Sequence, residues 1–344
     1  MPTRSNPSTT PSRYLWRKRQ GRHLLHWSSP LQYANLGRTN LRLSILGLGT
    51  VQLGMAYGWD QQPPPPDHRV ITLIRRALEL GINYIDTAAE YGRSESLVGR
   101  AWAGLTCRPV IATKLSIRDP DNAGLLTGQA LRQSVEQSLR QSLQRLGVDV
   151  LELVQLHSLD TRFATPELLE LLAQYNQRGW VRYWGVTTYG EEAPLDALDH
   201  PELICSMQIP YSALDRRMEH KVIPCAQALG TGVILRSIFL QGILSHRLDS
   251  LPTELADLSP LAAPLLRLAQ DAGMDLAELA LRFAAFASGA HSAIFGTTSV
   301  SELEANIRAV EAGPLPPDLV AAVRAIEVED SALLNPGNWR LSTP

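Results

Sequence analysis

From about Leu41 onward, short apolar runs alternate with stretches whose apolar residues recur every three or four positions. The runs Leu41–Leu48, Asn83–Asp86, Val110–Lys114, Leu151–His157, Val181–Thr187, Leu203–Gln208, Gly232–Arg236 and Ser292–Gly296 read as strands. Between them lie helical patterns. Val70, Ile71, Ile74, Ala77 and Leu78 make one face, with Asp67 as the expected N-cap and Gly81 at the C′ position. Glu95–Ala103 reads as the next helix, and Leu131, Val135, Leu139 and Leu143 form another face that stops at Gly147. Thr165-Pro166 opens a further helix that closes at Gly179. Arg217–Leu229 reads as helical, a helix runs from Asp275 to Gly289, and the last core helix starts near Ser299. Ser237–Gly273 looks too long for a simple connection and contains an insertion. Short apolar strands that alternate with helices predict a parallel sheet covered by helices, here a single-domain α/β fold of the (β/α)₈ barrel (TIM barrel) class.

Three successive strands end in ionisable residues: Asp86, Lys114 and His157. In parallel strands these ends share one face, so a carboxylate, an ammonium and an imidazole should converge there, with the phenol of Tyr91 on the same rim. Singly, each has a plain structural explanation: a helix cap, a solvated strand end, a satisfied core histidine, a packing tyrosine. Their joint placement favours catalysis.

The 344 residues carry a net charge of −2, 44% hydrophobic and 19% charged residues, which is ordinary globular composition and gives no electrostatic reason to expect nucleic acid or a membrane surface. No apolar run approaches the length of a spanning helix. Cys107, Cys205 and Cys225 match no zinc-ligand spacing, so no metal is expected, and their odd number argues against a disulfide framework and for a reducing compartment, taken as the cytoplasm. Residues 1–30 are rich in Arg, Ser and Pro, and the first 59 residues contain no acid. They are expected to be a flexible, disordered extension spanning 1–35, with an organelle-import segment as the alternative. The barrel is expected to span 36–326, followed by a tail at 327–344.

The run Gly81-Ile82-Asn83-Tyr84-Ile85-Asp86-Thr87-Ala88-Ala89-Glu90-Tyr91-Gly92, with Ser94-Glu95 and Val98-Gly99 behind it, resembles the aldo-keto reductase signature. Other pieces agree in order: Leu36-Gly37-Arg38-Thr39, Gly47-Leu48-Gly49-Thr50, Ala112-Thr113-Lys114, Gln155-Leu156-His157, Gly185-Val186-Thr187-Thr188, Gln208-Ile209-Pro210-Tyr211 and Gly296-Thr297-Thr298 with Asn306. The resemblance implies a barrel enzyme that moves hydride between a nicotinamide cofactor and an aldehyde, ketone or sugar hydroxyl. It also implies a catalytic tetrad of Asp86, Tyr91, Lys114 and His157. In that reading Tyr91 gives the proton, Lys114 lowers the phenol's pKa, Asp86 orients Lys114, and His157 donates to the substrate oxygen.

For the cofactor, the resemblance implies contacts from Gly49, Thr50, Val51, Asp86, Thr187, Thr188, Gln208, Arg236, Ser237, Phe239, Gly242, Gly296, Thr297, Thr298, Glu302 and Asn306. Arg236 departs from the family, which commonly has a tyrosine there to stack on the nicotinamide. Glu302 stands where NADP-preferring members often carry a base. Its carboxylate would repel a 2′-phosphate and tilts the expectation towards NAD over NADP, although Ser299 and Glu302 also form a capping box that explains Glu302 without any ligand. Tyr57, Trp59 and His157 are expected to line the substrate pocket, Trp184 is expected in the core, and Trp339 is a further pocket candidate. Small carbonyl or sugar substrates are the expected partners, with the oligomeric state open. A cofactor-sensing subunit without catalysis, as in potassium-channel β subunits, is the alternative. A Schiff-base lyase on Lys114 ranks lower, because Asp86 would keep the amine protonated.

Overall fold

The computed structural model describes residues 31–105, 108–121 and 124–339. The chain opens with a hairpin of β1 (Tyr33–Asn35) and β2 (Arg42–Ser44), paired antiparallel. Eight parallel strands follow: β3 (Leu46–Gly49), β4 (Tyr84–Asp86), β5 (Val110–Leu115), β6 (Leu151–Leu159), β7 (Val181–Thr188), β8 (Ile204–Pro210), β9 (Gly232–Arg236) and β10 (Ser292–Gly296). Each pairs with the next in sequence, and β10 closes on β3, giving the (β/α)₈ barrel. The register puts Asp86 opposite Gly49 and Ala112, Lys114 opposite Gln155, and Thr187 opposite Gln208, so the chemistry sits at one level of one rim.

The hairpin closes the other end. Leu36, Leu41 and Leu43 pack with Tyr84, Ala112, Leu153, Ile234 and Ile294 as a small apolar cluster of their own. Gly37 is needed at the turn: it has φ +51°, and a Cβ there would stand 2.4 Å from the Gly230 carbonyl oxygen. The larger core lies between the barrel and its helices and includes Trp184, fully buried as expected, with its indole N–H donating to the Leu172 carbonyl.

Several helix starts follow the sequence. Thr165 accepts from the Leu168 amide, Asp275 from Glu278, and Ser299 from Glu302. Asp67 does not cap its helix. Pro66 occupies that position, and Asp67 is the first helical residue, ion-paired with Arg93 and Arg100. The stretch 217–229 is divided into a 3₁₀ turn, Arg217–Glu219, and a helix, Val222–Ala228. Within Ser237–Gly273 the chain makes three 3₁₀ turns and then the helix Leu258–Asp271. Helices Glu192–Leu198 and Pro317–Arg324 add to those read from the sequence.

Pairing begins at Tyr33, ahead of the expected barrel start, and Leu334 in the C-terminal segment is buried. The N-terminal extension to residue 30 and Cys107 lie outside the described residues. Among the described residues no helix is long and apolar enough to cross a membrane, and no group of three or more His, Cys, Asp or Glu could hold a metal ion.

Candidate active site

Asp86 ends β4, Lys114 lies near the end of β5, and His157 lies two residues before the end of β6. The loop after β4 carries Tyr91, and its course depends on two glycines. A Cβ on Gly54 would stand 2.0 Å from the Tyr91 carbonyl oxygen, and Gly92 has φ +54° against the Gly54 carbonyl. Any side chain at either position would push the phenol off the rim.

The four predicted residues meet. Lys114 Nζ donates to Asp86 Oδ1 at 2.5 Å and to the Thr87 carbonyl at 2.9 Å. The same nitrogen lies 4.7 Å from the centre of the Tyr91 ring, within cation–π reach. Tyr91 and His157 meet edge to face, with ring centres 5.9 Å apart. Gln208 supports the pair from across the barrel: its Nε2 donates to Asp86 Oδ2 at 2.7 Å and to Gln155 Oε1 at 3.1 Å.

Burial and charge compete in this cluster. Burial works to depress the Lys114 pKa, but Asp86 and then Tyr91 outweigh it, and the ammonium ends above its ordinary value. For Tyr91 the balance goes against the sequence expectation. Burial is the largest influence and raises the phenol's pKa, Lys114 pulls it down, Asp86 pushes it up again, and the net shift is upward. Tyr91 is therefore a protonated phenol at neutral pH. His157 moves the other way: burial pushes the imidazole pKa down more strongly than Glu90 raises it, and Lys114 adds to the fall.

These groups open into one cavity of about 550 Å³ that runs from Lys114 and His157 to Glu302 and Asn306. It is lined by Gly49, Thr50, Val51, Asp86, Thr187, Gln208, Arg236, Ser237, Phe239, Gly242, Gly296, Thr297, Thr298, Glu302 and Asn306, and by Tyr57. Three expected residues do not line it. Thr188 follows Thr187 on β7 and so points to the other side of the strand; it contributes its carbonyl, which accepts from Arg236 Nη2 at 2.9 Å. Trp59 is screened by Arg247, whose guanidinium lies 4.3 Å over its ring and pairs with Asp60 at 2.7 Å. Trp339 is likewise absent from the lining; its indole N–H donates to the Leu333 carbonyl.

Arg236 lies 4.3 Å over the Tyr189 ring and also donates to Ser237 Oγ at 3.1 Å. Glu302 accepts from Thr297 Oγ1 at 2.5 Å, so its carboxylate turns to the strand end rather than back to the Ser299 amide. The lining residues Ser158, Ser237 and Gln241 hold positive φ, a backbone cost concentrated at this rim. Residues that sequence reasoning left unassigned include Gln52, Tyr189, Arg247 and Glu90. Gln52 Oε1 is buried beside the cavity without a hydrogen-bond partner. Glu90 sits inside the signature run, where only its neighbours had been given roles.

The sequence profile described as the Aldo/keto reductase family matches residues 45–328. The chain belongs to the aldo/keto reductase family. Among solved structures it is similar to the holo form of aldo-keto reductase AKR11C1 from Bacillus halodurans, with TM-score 0.70 and 27% identity over 87% of this chain and 97% of that one. It is 25% identical to the uncharacterized oxidoreductase YqkF of Bacillus subtilis, over 86% of this chain and 96% of the relative. It is 32% identical to the NADH-specific methylglyoxal reductase of Escherichia coli, over 61% of this chain and 68% of the relative. This aldo-keto reductase is accordingly an oxidoreductase of a nicotinamide-using family whose substrates are small carbonyl compounds.

Proposed function

We propose that this chain interconverts a small aldehyde, ketone or sugar carbonyl and the corresponding alcohol, with Tyr91 as the proton donor and acceptor and NAD as the preferred cofactor. The observation that carries the reading is the buried Lys114–Asp86 pair lying against the Tyr91 ring at the mouth of the cavity. When bound, the nicotinamide supplies or takes up the hydride.

The chain's own residues do the rest. Tyr91 holds a proton that it can release to an oxygen that gains negative charge. Lys114 places a fixed positive charge beside that phenol, so the developing phenolate is stabilised without solvent reorganisation. Asp86 keeps the ammonium charged and fixed in direction, and Gln208 fixes Asp86 in turn.

The residues present fit a dinucleotide. The cavity is long, its far end begins the helix Val300–Glu311, and the unpartnered Gln52 Oε1 offers an acceptor beside it. Among the lining residues, the end built by Gly296, Thr297, Thr298, Glu302 and Asn306 presents no lysine or arginine. A 2′-phosphate would meet the Glu302 carboxylate there, which supports NAD.

The test is turnover with NADH, NADPH, NAD⁺ and NADP⁺ against a panel of aldehydes, ketones, aldoses and polyols. Cofactor oxidation or reduction faster with the NAD pair is expected. Tight cofactor binding with no turnover in either direction would sink the catalytic reading and leave a cofactor-sensing protein.

A further inference from the structure

Ser94-Glu95 stands just behind the signature run, yet the chemistry above uses neither residue. Glu95 is the second residue of the helix Ser94–Trp102, and its side chain is only 1% exposed. Its two oxygens face two different elements. Oε1 accepts from Thr113 Oγ1 at 2.6 Å, and Oε2 pairs with Arg145 Nη1 at 3.3 Å. Thr113 precedes Lys114 on β5, so its side chain leaves the outer face of the strand while the ammonium points inward. Arg145 Nη1 also lies 3.4 Å from the carbonyl oxygen of Ala89, two residues before Tyr91. The carboxylate therefore touches the strand of the ammonium directly and reaches the loop of the phenol through one guanidinium. The backbone at Arg145 is fixed in turn. A Cβ on Gly99 would stand 2.3 Å from the Arg145 carbonyl oxygen, and the Trp102 indole N–H donates to the Leu146 carbonyl at 3.0 Å. Ser94 ties the opposite side: its Oγ donates to Thr50 Oγ1 at 2.6 Å and lies 2.8 Å from the hydroxyl of Thr87, whose carbonyl accepts from Lys114.

We propose that Glu95 is a positioning residue for the proton transfer: with Arg145 it braces the Tyr91 loop against the strand of Lys114 and so fixes the spacing of phenol and ammonium. It does not line the cavity and so acts only through other residues. The proposal rests on the oxidoreductase reading for its effect on rate, but not for the geometry. A glutamine at this position still accepts from Thr113, but it leaves the guanidinium without its counter-charge. The Arg145 side chain is 35% exposed, so the freed guanidinium can turn to water and release the Ala89 carbonyl. The loop then holds the phenol less closely to the ammonium. A misplacement of about 1 Å is enough to slow a positioned reaction about 100-fold.

Two measurements test it. The first needs no substrate. A 3-fluorotyrosine is placed at position 91 of the full chain, and its ¹⁹F resonance is followed against pH. Burial raises the pKa of this phenol and Lys114 pulls it down, so a looser contact with the ammonium should raise it further. Glu95→Gln should move the titration up by about half a unit or more. Arg145→Met should do the same, and the double variant should add little, because the pair acts as one unit. Leu172→Ala, which removes a buried side chain from the helix Pro166–Gln177, should cost stability without moving the titration. A titration unchanged in both Glu95→Gln and Arg145→Met overturns the proposal, and so does one that Leu172→Ala moves equally. The second measurement is kinetic. In Glu95→Gln, kcat should fall about tenfold or more, with the NADH dissociation constant and substrate KM within about twofold of wild type. The solvent isotope effect on kcat should rise, as proton transfer becomes slower. A parallel loss of cofactor affinity and kcat, with no change in the isotope effect, would make Glu95 merely structural. Absence of turnover in the wild type would instead count against the oxidoreductase reading, with the geometry still decided by the fluorine titration.

Discussion

Lys114 Nζ lies 2.5 Å from Asp86 Oδ1, with both side chains almost entirely removed from solvent. Two charges this far from water are stable only together. Replacing Asp86 by Asn strands the ammonium, and a loss of about 3–5 kcal/mol of stability is expected from breaking a buried pair on one side. The double variant Asp86→Leu with Lys114→Met, which removes both charges, should be more stable than Asp86→Asn alone. Urea unfolding of the three proteins checks this. The loss in Asp86→Asn should also shrink at high pH, where the stranded ammonium can shed its proton. A single variant as stable as wild type would mean that water reaches the pair.

Glu302 accepts from Thr297 at the far end of the cavity, where the lining residues Gly296, Thr297, Thr298, Glu302 and Asn306 include no lysine or arginine. Glu302→Lys should shift the ratio of NAD(H) to NADP(H) dissociation constants about tenfold or more towards NADP, since a charged contact is worth about 1–3 kcal/mol. Titration of both cofactors into both proteins measures it. An unchanged ratio would leave Glu302 with its Thr297 contact alone.

Two histidines make the fold sensitive to mild acid. Burial lowers the pKa of His157, and burial likewise lowers that of His291, whose Nδ1 accepts from the Val233 amide at 3.0 Å. The unfolded chain binds protons at these imidazoles near pH ~6.5, while the folded chain resists until lower pH. Stability is therefore full above the unfolded value and falls as the pH drops towards the folded ones. Urea midpoints should decline between pH 8 and pH 5.5, before ordinary carboxylates titrate near pH ~4. His291→Asn keeps an acceptor for Val233 and cannot charge, so its decline should be shallower. An identical decline would exclude His291 from the effect.

Much of this site could be read in the chain itself. Asp86, Lys114 and His157 were visible because parallel strands bring their ends to one rim, and Thr165, Asp275 and Ser299 were visible as caps because the bond is local. Asp67 misled because the proline run before it fixes φ and starts the helix one residue early. The helix Leu258–Asp271 was masked by Pro260 near its start and Pro264 within it. Thr188 was misplaced because its neighbour Thr187 takes the inward position on the strand. Trp59 was misplaced because Arg247, far along the chain, lies over it. The net rise in the Tyr91 pKa was beyond sequence reasoning, which sees the lysine but not how completely the ring is buried. Glu90 was missed for a similar reason, because its partner stands 67 residues away.

The central claim is that Tyr91 handles the proton while the cofactor site stands apart from it. The direct measurement compares wild type with Tyr91→Phe, using NADH fluorescence titration for binding and absorbance decay for turnover with the best carbonyl substrate. Binding should stay within about twofold, and kcat should fall by about 10²–10⁴, the usual worth of a positioned general acid. A Tyr91→Phe protein that turns over at the wild-type rate would contradict the account.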